Sequence, residues 1–546
     1  MSSKPRPILG DLFHRFPLQE RTVPNLLQDA AARFGDRIFA SLAGREIRFS
    51  DVPLIAARVA GVFHSLDVKS GETVALFMHN CPEFMGSIWG QAWNGGVAVP
   101  INPAIRGPGL AHVINDSDAN VIVCDADLLH KLDELGAALT NLRYIIVVGT
   151  SDSIDTGRYE KLAWDSLLEA AVPIELTQVR FDDPVMIMYT SGTTGLAKGV
   201  IVSHHQYYCS ATLCADNQHW GPDDHLYTPL QLCHAQAHLN VVAAGLVAGS
   251  QVTLPRRFSA RNFWAEIAES GATHANAGSA VNVIGNQPPS DREQAHRLRA
   301  LLCNPPPIDI QKFQKRFNVT VFSQGYGMTE GFFVPRIAYQ YDRARNCVGL
   351  PSPLFSIDIF DESDIPVPHD GVSVGEIVAR PLQPAVMMSG YYKNPAATAD
   401  AFRNLWFHTG DIAAIDEEGL IYLHGRKKDS IRRRGENISA VEIENAALSH
   451  PLVSQAAAFG VPSPLGEHDV KLDLVLVEGG TLTAEEMVSH LETMLATFMI
   501  PRFIQFRLVM PMTPTERIEK YKLQAEGCDA ADHDGEAGQF ARAARH

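Results

Sequence analysis

No apolar run in this chain is long enough to cross a bilayer. The longest, around Val241–Ala248, falls well short of the roughly 20 residues that a spanning helix needs. Paired cysteines are missing too. The 8 cysteines (Cys81, Cys124, Cys209, Cys214, Cys233, Cys303, Cys347, Cys528) lie far apart and none forms Cys-x-x-Cys, which excludes the common zinc and redox motifs. Scattered thiols in a large chain point to a reducing compartment. There is no surplus of positive charge: 46 Lys and Arg stand against 62 Asp and Glu, a net charge of −16. That balance disfavours nucleic acid, whose binders carry a basic stripe, and anionic membrane surfaces. Met1 to Arg21 lacks the apolar centre of a signal peptide, and the final Ala-Arg-His is not the peroxisomal Ser-Lys-Leu. A soluble, cytoplasmic protein is the expectation.

What is present is a chain of 546 residues, more than one core usually organises, so at least two domains are expected. Short apolar runs alternate with helical patterns. Val74–Met78, Gly96–Ile101, Ala119–Cys124, Tyr144–Val148, Val185–Tyr189, Gln251–Leu254 and Val319–Ser323 read as strands, and Pro82–Trp93 as a helix. Such alternation predicts a parallel-sheet-rich α/β fold. From about Ile357 the texture changes to short strands with Gly and Pro turns (Ser356–Phe360, Gly375–Ala379, Gly419–His424), a β-rich layer. Val441–Leu448, Ser454–Val461, Lys471–Leu476, Thr483–Met494 and Phe503–Val509 then suggest a compact α+β unit of about a hundred residues. From about Ala525 the chain is rich in Ala, Asp and Gly and reads as a frayed tail.

Chemistry concentrates first in Thr190-Ser191-Gly192-Thr193-Thr194-Gly195-Leu196-Ala197-Lys198-Gly199, directly after the apolar run Val185–Tyr189. Glycines let a backbone fold tightly with its N–H groups inward, and hydroxyls and a lysine add donors and charge, so the segment could wrap phosphates. It is not a hydrolase P-loop, because Lys198 precedes Gly199 and no Ser or Thr follows. It contains no Gly-x-Gly-x-x-Gly. A flexible linker is the competing reading.

Three further segments carry suitable groups. In Gly325-Tyr326-Gly327-Met328-Thr329-Glu330 an aromatic could stack on a base, Thr329 could donate to a phosphate and Glu330 could hold a hard cation such as Mg²⁺; a tight turn is the plainer reading. In Trp406-Phe407-His408-Thr409-Gly410-Asp411, Asp411 could accept from ribose hydroxyls or simply serve a turn. In Gly425–Ser439, Arg426 could reach the same ribose, while Arg432, Arg433 and Arg434 read equally as a solvated basic run. His234 and His238 are four apart, but no zinc-protease Glu lies between them and no third ligand is evident.

Taken in this order, the four segments resemble those of the adenylate-forming superfamily: acyl-CoA synthetases, adenylation domains of peptide synthetases and firefly luciferases. The resemblance covers about residues 20–525. Phe258–Trp264 and Ile431–Ser439 look closest to its crotonobetaine/carnitine-CoA ligase-like branch. It implies a large N-terminal adenylation domain, residues 1–428, and a small mobile C-terminal domain, residues 429–525, after a hinge at Asp429; residues 526–546 would form the tail. It implies ATP, Mg²⁺ and coenzyme A, with a carboxylic acid converted to acyl-AMP and then to a thioester. The loop Thr190, Ser191, Gly192, Thr193, Thr194 and Lys198 would hold the departing phosphates. Thr329 would meet the α-phosphate and Glu330 the Mg²⁺. Tyr326 and Gly327, with Asn304 and Pro305, would flank the adenine, and Asp411 and Arg426 would bind the ribose. His234 matches the family histidine beside the acyl pocket, though a packing histidine is a rival reading.

The C-terminal region departs from that pattern. Arg434-Gly435 keeps only the second of two glycines expected at the pantetheine channel. Where the family carries Gly-Lys, the lysine bridging carboxylate and α-phosphate, this chain has Glu516-Arg517. Arginine keeps the charge but not the ammonium's geometry. With a helix starting near Thr515, Lys520 would lie one turn from Arg517 and reach the same space. Three readings stay open: a complete acid–CoA ligase; an enzyme of one half-reaction, releasing acyl-AMP or loading an acyl-carrier protein; and a degraded nucleotide-binding protein.

Overall fold

The computed structural model describes residues 8–150, 159–190, 197–278, 280–303, 306–307, 309–322, 324–337, 346–427, 430–433, 436–463, 468–495, 497–513, 517–528 and 533–534. Two compact units emerge. One comprises Met1–Arg343, Val348–Ile357 and Ala379–Phe407; the other comprises Ala344–Cys347, Asp358–Val378 and His408–His546.

The larger unit contains two seven-stranded sheets. In the first, the order is Glu160–Ala163, Tyr144–Val148, Val121–Asp125, Thr73–Phe77, Val97–Pro100, Pro184–Thr190, Lys198–Ser203. Every neighbouring pair is parallel except the last. Thr73–Phe77 and Val121–Asp125 are buried along their whole length, because helices cover both faces of a parallel sheet. The helix Pro82–Trp93 starts at a proline, whose missing N–H costs nothing at the first helical position. The second sheet runs Thr320–Phe322, Ala300–Cys303, His274–Gly278, His225–Tyr227, Gln251–Leu254, Ile38–Leu42, Arg45–Arg48, again parallel but for the final hairpin. Its strands share a core with Phe263, Trp264, Ile267, Phe313 and Phe317. The helix His204–Gln218 starts at Ser203, which accepts from the Gln206 N–H, and is buried through most of its length.

Two expectations are corrected here. The Gly-Tyr-Gly segment is not itself a turn. Gln324–Met328 is a strand paired antiparallel with Gly331–Ile337, and the turn falls at Thr329 and Glu330. Likewise Asp411 lies inside the strand Phe407–Ile415, not in a turn. Pairing with a neighbouring strand overrides the weak strand preference of glycine and aspartate.

The smaller unit carries a hairpin of Phe407–Ile415 with Ile421–Arg426. It also carries a sheet ordered Val453–Pro462, His468–Leu476, Phe503–Arg507, His533–Asp534. Helices Ala440–Leu448 and Ala484–Glu492 pack on that sheet through Ile443, Ala447, Met487 and Leu491. The second helix has a capping box, Thr483 with Glu486. Thr515 lies outside the described residues, and no helix is formed at Arg517. Thr513 N–H donates to the Arg517 carbonyl, Met512 bridges Ile518, and the helix begins only at Lys520.

Candidate active site

In the larger unit, Thr190 and Lys198 pair directly across the antiparallel strands Pro184–Thr190 and Lys198–Ser203. The register therefore brings the hydroxyl residue and the lysine to the same end of the hairpin. Gly199 follows because a Cβ there would stand 2.6 Å from Ile187 and 3.1 Å from the Tyr189 ring. The exit of the loop is tied down: His112 Nε2 lies 2.9 Å from the Ala197 carbonyl oxygen, and the Tyr189 hydroxyl donates to Asp116 at 2.6 Å. Ser191, Gly192, Thr193 and Thr194 lie outside the described residues, as do Asn304, Pro305 and Gly435.

Tyr391 connects this loop to the second motif. Lys198 Nζ is 4.9 Å from the Tyr391 ring centre, a cation–π distance, and the Tyr391 hydroxyl donates to Glu330 Oε1 at 2.9 Å. Burial, with the nearby Glu330 carboxylate, pushes the Tyr391 phenol up, so it stays a protonated donor. The Glu330 side chain is buried and its carbonyl accepts from Met388 N–H. Thr329 is half-buried, and its carbonyl accepts from Gln206 Nε2 at 2.8 Å. Tyr326 is buried, tilted against Phe333 at 6.0 Å between ring centres. Gly327 is exposed, and a Cβ would approach the Gly331 carbonyl oxygen to 3.0 Å, so a side chain there would crowd the hairpin.

Sequence reasoning missed Tyr391 and Gln206. The only signal for the first was the Tyr391-Tyr392 pair, and for the second its place in an unusually polar buried helix start, His204-His205-Gln206. His234 is half-buried and precedes the short helix Ala235–Ala237. His238, one turn on, is fully buried at the start of a π-helical segment, His238–Ala243. There burial lowers its pKa to about 3, and it joins no metal-binding group among the described residues.

In the smaller unit Asp411 and Arg426 are brought together as expected. They are cross-strand partners, with Arg426 Nε 2.9 Å from Asp411 Oδ1; the carboxylate is buried and the guanidinium reaches solvent. Beside them Glu376 receives Gly410 N–H at 3.0 Å and sits near His408 and Lys427, at 3.2 and 3.1 Å. Burial works against the Glu376 charge, but the His408 and Lys427 contacts win and hold its pKa below the ordinary carboxylate value.

Arg517 and Lys520 are not brought to one place by a shared helix. Lys520 Nζ pairs with Glu444 Oε1 at 2.7 Å. Arg517 reaches solvent, its N–H donating to Thr513 Oγ1 at 3.0 Å. Desolvation and the charge of Arg426 lower its pKa, with Asp411 opposing, so Arg517 shares the electrostatic neighbourhood of the Asp411–Arg426 pair.

The comparisons with known proteins converge. The AMP-binding enzyme family model matches residues 27–392, and the AMP-binding enzyme C-terminal domain model matches residues 442–517. The crotonobetaine/carnitine–CoA ligase of Shigella dysenteriae serotype 1 is 30% identical over 485 residues, 86% of this chain and 91% of the relative. That of Proteus mirabilis is 32% identical over 505 residues, 89% and 95% respectively. Among solved structures, the anthranilate CoA ligase AuaEII in complex with anthranoyl-AMP superposes with a TM-score of 0.83 over 94% of this chain and 98% of its own, at 22% identity, a likeness of fold.

Proposed function

The chain belongs to the AMP-binding enzyme family, and from that premise we infer an ATP-dependent acid–CoA ligase that forms an acyl-adenylate and passes the acyl group to coenzyme A. The observation that carries this reading is Tyr391 joining Lys198 to Glu330. It sets a cation for departing phosphates and a carboxylate for a metal on two sides of one aromatic side chain.

In the first step the acid's carboxylate oxygen attacks the α-phosphorus and pyrophosphate leaves. Negative charge grows on the leaving phosphates, where Thr190 and Lys198 would meet it, and on the α-phosphoryl oxygens, where Thr329 would donate. The hydrogen bonds that hold the backbone at Ala197 and Thr329 support a preorganised role for these groups. Glu330 suits Mg²⁺, a hard ion that takes one or two protein carboxylates and fills its shell with phosphate oxygens and water. Bound there, it would neutralise phosphoryl charge. Tyr326 and Gly327 would face the adenine, Asp411 and Arg426 the ribose, and His234 the acyl group. Arg517, free of the Glu444 pairing that engages Lys520, is the stronger candidate for the adenylation cation.

In the second step a thiolate attacks the acyl carbon and AMP leaves. Coenzyme A supplies that thiol; the pantetheine arm of an acyl-carrier protein has the same chemistry and is the alternative acceptor. We place the boundary between the catalytic domains at Asp429 and the protein in the cytoplasm. No helix among the described residues is long and apolar enough to cross a membrane, and the cysteines described are free thiols.

The test is incubation with ATP, Mg²⁺ and a panel of carboxylic acids, with coenzyme A, with a carrier protein and with neither. The expected outcome is pyrophosphate release that depends on the acid, with AMP and a thioester when coenzyme A is present. Pyrophosphate release with acyl-AMP persisting beside coenzyme A would remove the second step from the assignment.

A further inference from the structure

The nucleotide-binding groups leave the acid unspecified, and the strand His274–Gly278 bears on it. Ala275 and Ala277 enter the hydrophobic core with Phe263, Ile267 and Leu301, so strand alternation turns Asn276 to the opposite face. The carboxyl end of this strand lies between those of His225–Tyr227 and Ala300–Cys303 in a parallel sheet, the edge where such sheets take ligands. The chain leaving His225–Tyr227 leads to His234 and Gln236, and Gln236 Nε2 donates to Asn276 Oδ1 at 2.8 Å.

The Gly278 N–H donates to that same oxygen at 3.2 Å. A backbone N–H can only donate, so the orientation of the Asn276 amide is fixed: Oδ1 faces Gly278 and Nδ2 faces away. Asn276 is only 2% exposed, and Nδ2 has no hydrogen-bond partner among the described residues. Buried amide donors are almost always partnered, and leaving one unpaired is costly. The glycine beside it is required. Gly278 has φ +54°, and a Cβ there would come within 3.0 Å of Leu230 and 3.4 Å of Gln236 Oε1. The backbone thus turns away at the point where the amide pair sits.

Building on the ligase reading, we propose that Asn276, oriented by Gln236, determines which acid is used, by donating a hydrogen bond to an oxygen within the acyl group. The preferred substrates are acids whose chain or ring carries a carbonyl, ether or hydroxyl oxygen, rather than pure hydrocarbon acids. A hydrocarbon in the same place leaves the Asn276 N–H desolvated and unpaired. Sites built around a hydrogen bond discriminate strongly against analogues that lack it.

The experiment uses the full-length protein and matched acids of equal length, each hydrocarbon acid paired with its oxo, ether and hydroxy counterparts at successive positions. Pyrophosphate release is measured for the wild type, Asn276→Leu, Asn276→Asp and Gln236→Leu. The expected result is one position at which oxygen raises kcat/KM by about tenfold or more, the size of a single buried hydrogen bond. Asn276→Leu then erases the preference through the KM of the oxygen-bearing acid, with the KM for ATP unchanged, and Asn276→Asp turns the preference from keto to hydroxyl. Gln236→Leu weakens it in the same direction as Asn276→Leu. Should Asn276→Leu unfold, the wild-type pairs and Asn276→Asp still decide. Hydrocarbon acids matching or outrunning their counterparts at every position would overturn the proposal and leave the ligase reading standing. A preference that survives in folded Asn276→Leu would do the same. No pyrophosphate release with any acid would end both.

Discussion

The two units keep their polar groups in different ways. In the larger one, the side chains that hold the motifs in place are uncharged. His204 is buried with its Nδ1 accepting from Val23 N–H, and burial lowers its pKa to about 3. Gln206 holds the Thr329 carbonyl, and the Tyr391 hydroxyl holds Glu330. In the smaller unit, charge meets charge with the base reaching solvent: Asp411 with Arg426, and Glu376 with Lys427. Hydrogen bonds to backbone fix a geometry once. Ion pairs near solvent are individually weak and can exchange partners at little cost. In the proposed reaction, the first arrangement would suit a cradle set to receive phosphates, and the second would suit residues that serve more than one step.

That contrast can be broken most sharply at Glu330. Glu330→Gln retains an acceptor for Tyr391 but removes the charge. Acid-dependent exchange of pyrophosphate into ATP is expected to fall by about 10²–10³-fold, the range for a preorganised electrostatic group, while the thermal unfolding midpoint changes little. A loss below tenfold would mean that the cradle does not depend on this carboxylate. Next come the two cations of the smaller unit. Arg517→Ala is expected to slow adenylation by about 10²-fold. Lys520→Ala should cost less than tenfold and register mainly as about 1 kcal/mol of lost stability from its half-buried pair with Glu444. Single-turnover formation of acyl-AMP and thermal unfolding separate the two, and the reverse order would make Lys520 the adenylation cation.

The smallest effect is on pH. A buried histidine whose folded pKa is depressed contributes stability that is complete above the unfolded value near 6.5 and is lost as pH falls toward its folded value. His204 and His238, both held near 3, therefore each cost the larger unit about 1.4 kcal/mol per pH unit between those limits. Glu376 behaves as a depressed carboxylate, its contribution lost only as pH falls through a folded pKa below about 4.5. In the smaller unit His424 is the half-buried counterpart, lowered by burial with Glu442 opposing. Peptide-resolved hydrogen exchange between pH 6.5 and 5 should show the larger unit opening more than the smaller one. Equal loss in both would contradict the contrast.

Much of this was legible in the sequence where local chemistry decides. Tyr144–Val148, Gln251–Leu254 and the helix Pro82–Trp93 fall where apolar runs and an initial proline place them. That Asp411 and Arg426 belong together was readable from their motifs, and they are indeed one contact. What was not legible depends on distant partners. The Gly-Tyr-Gly segment is extended because Val334 pairs with Tyr326 across a hairpin. Tyr391 matters because it stands between residues 198 and 330, a relation that periodicity cannot carry. Glu444 captures Lys520 from far away in sequence, which no local helix pattern foretells.

Asp411 and Arg426 oppose each other on neighbouring strands, and that placement makes their separation a matter of parity as well as distance. Residues on a strand alternate between faces, and the bulge that leaves His424 without a cross-strand partner sets the parity that puts Arg426 opposite Asp411, so the pair tolerates changes of length in the turn after Ile415 but not a further residue inserted within Ile421–Arg426. Such an insertion would swing Arg426 to the other face and leave Asp411 facing a different residue. Natural variation and engineered grafts at this hairpin should therefore accept added loop freely and reject a one-residue slip in the strand.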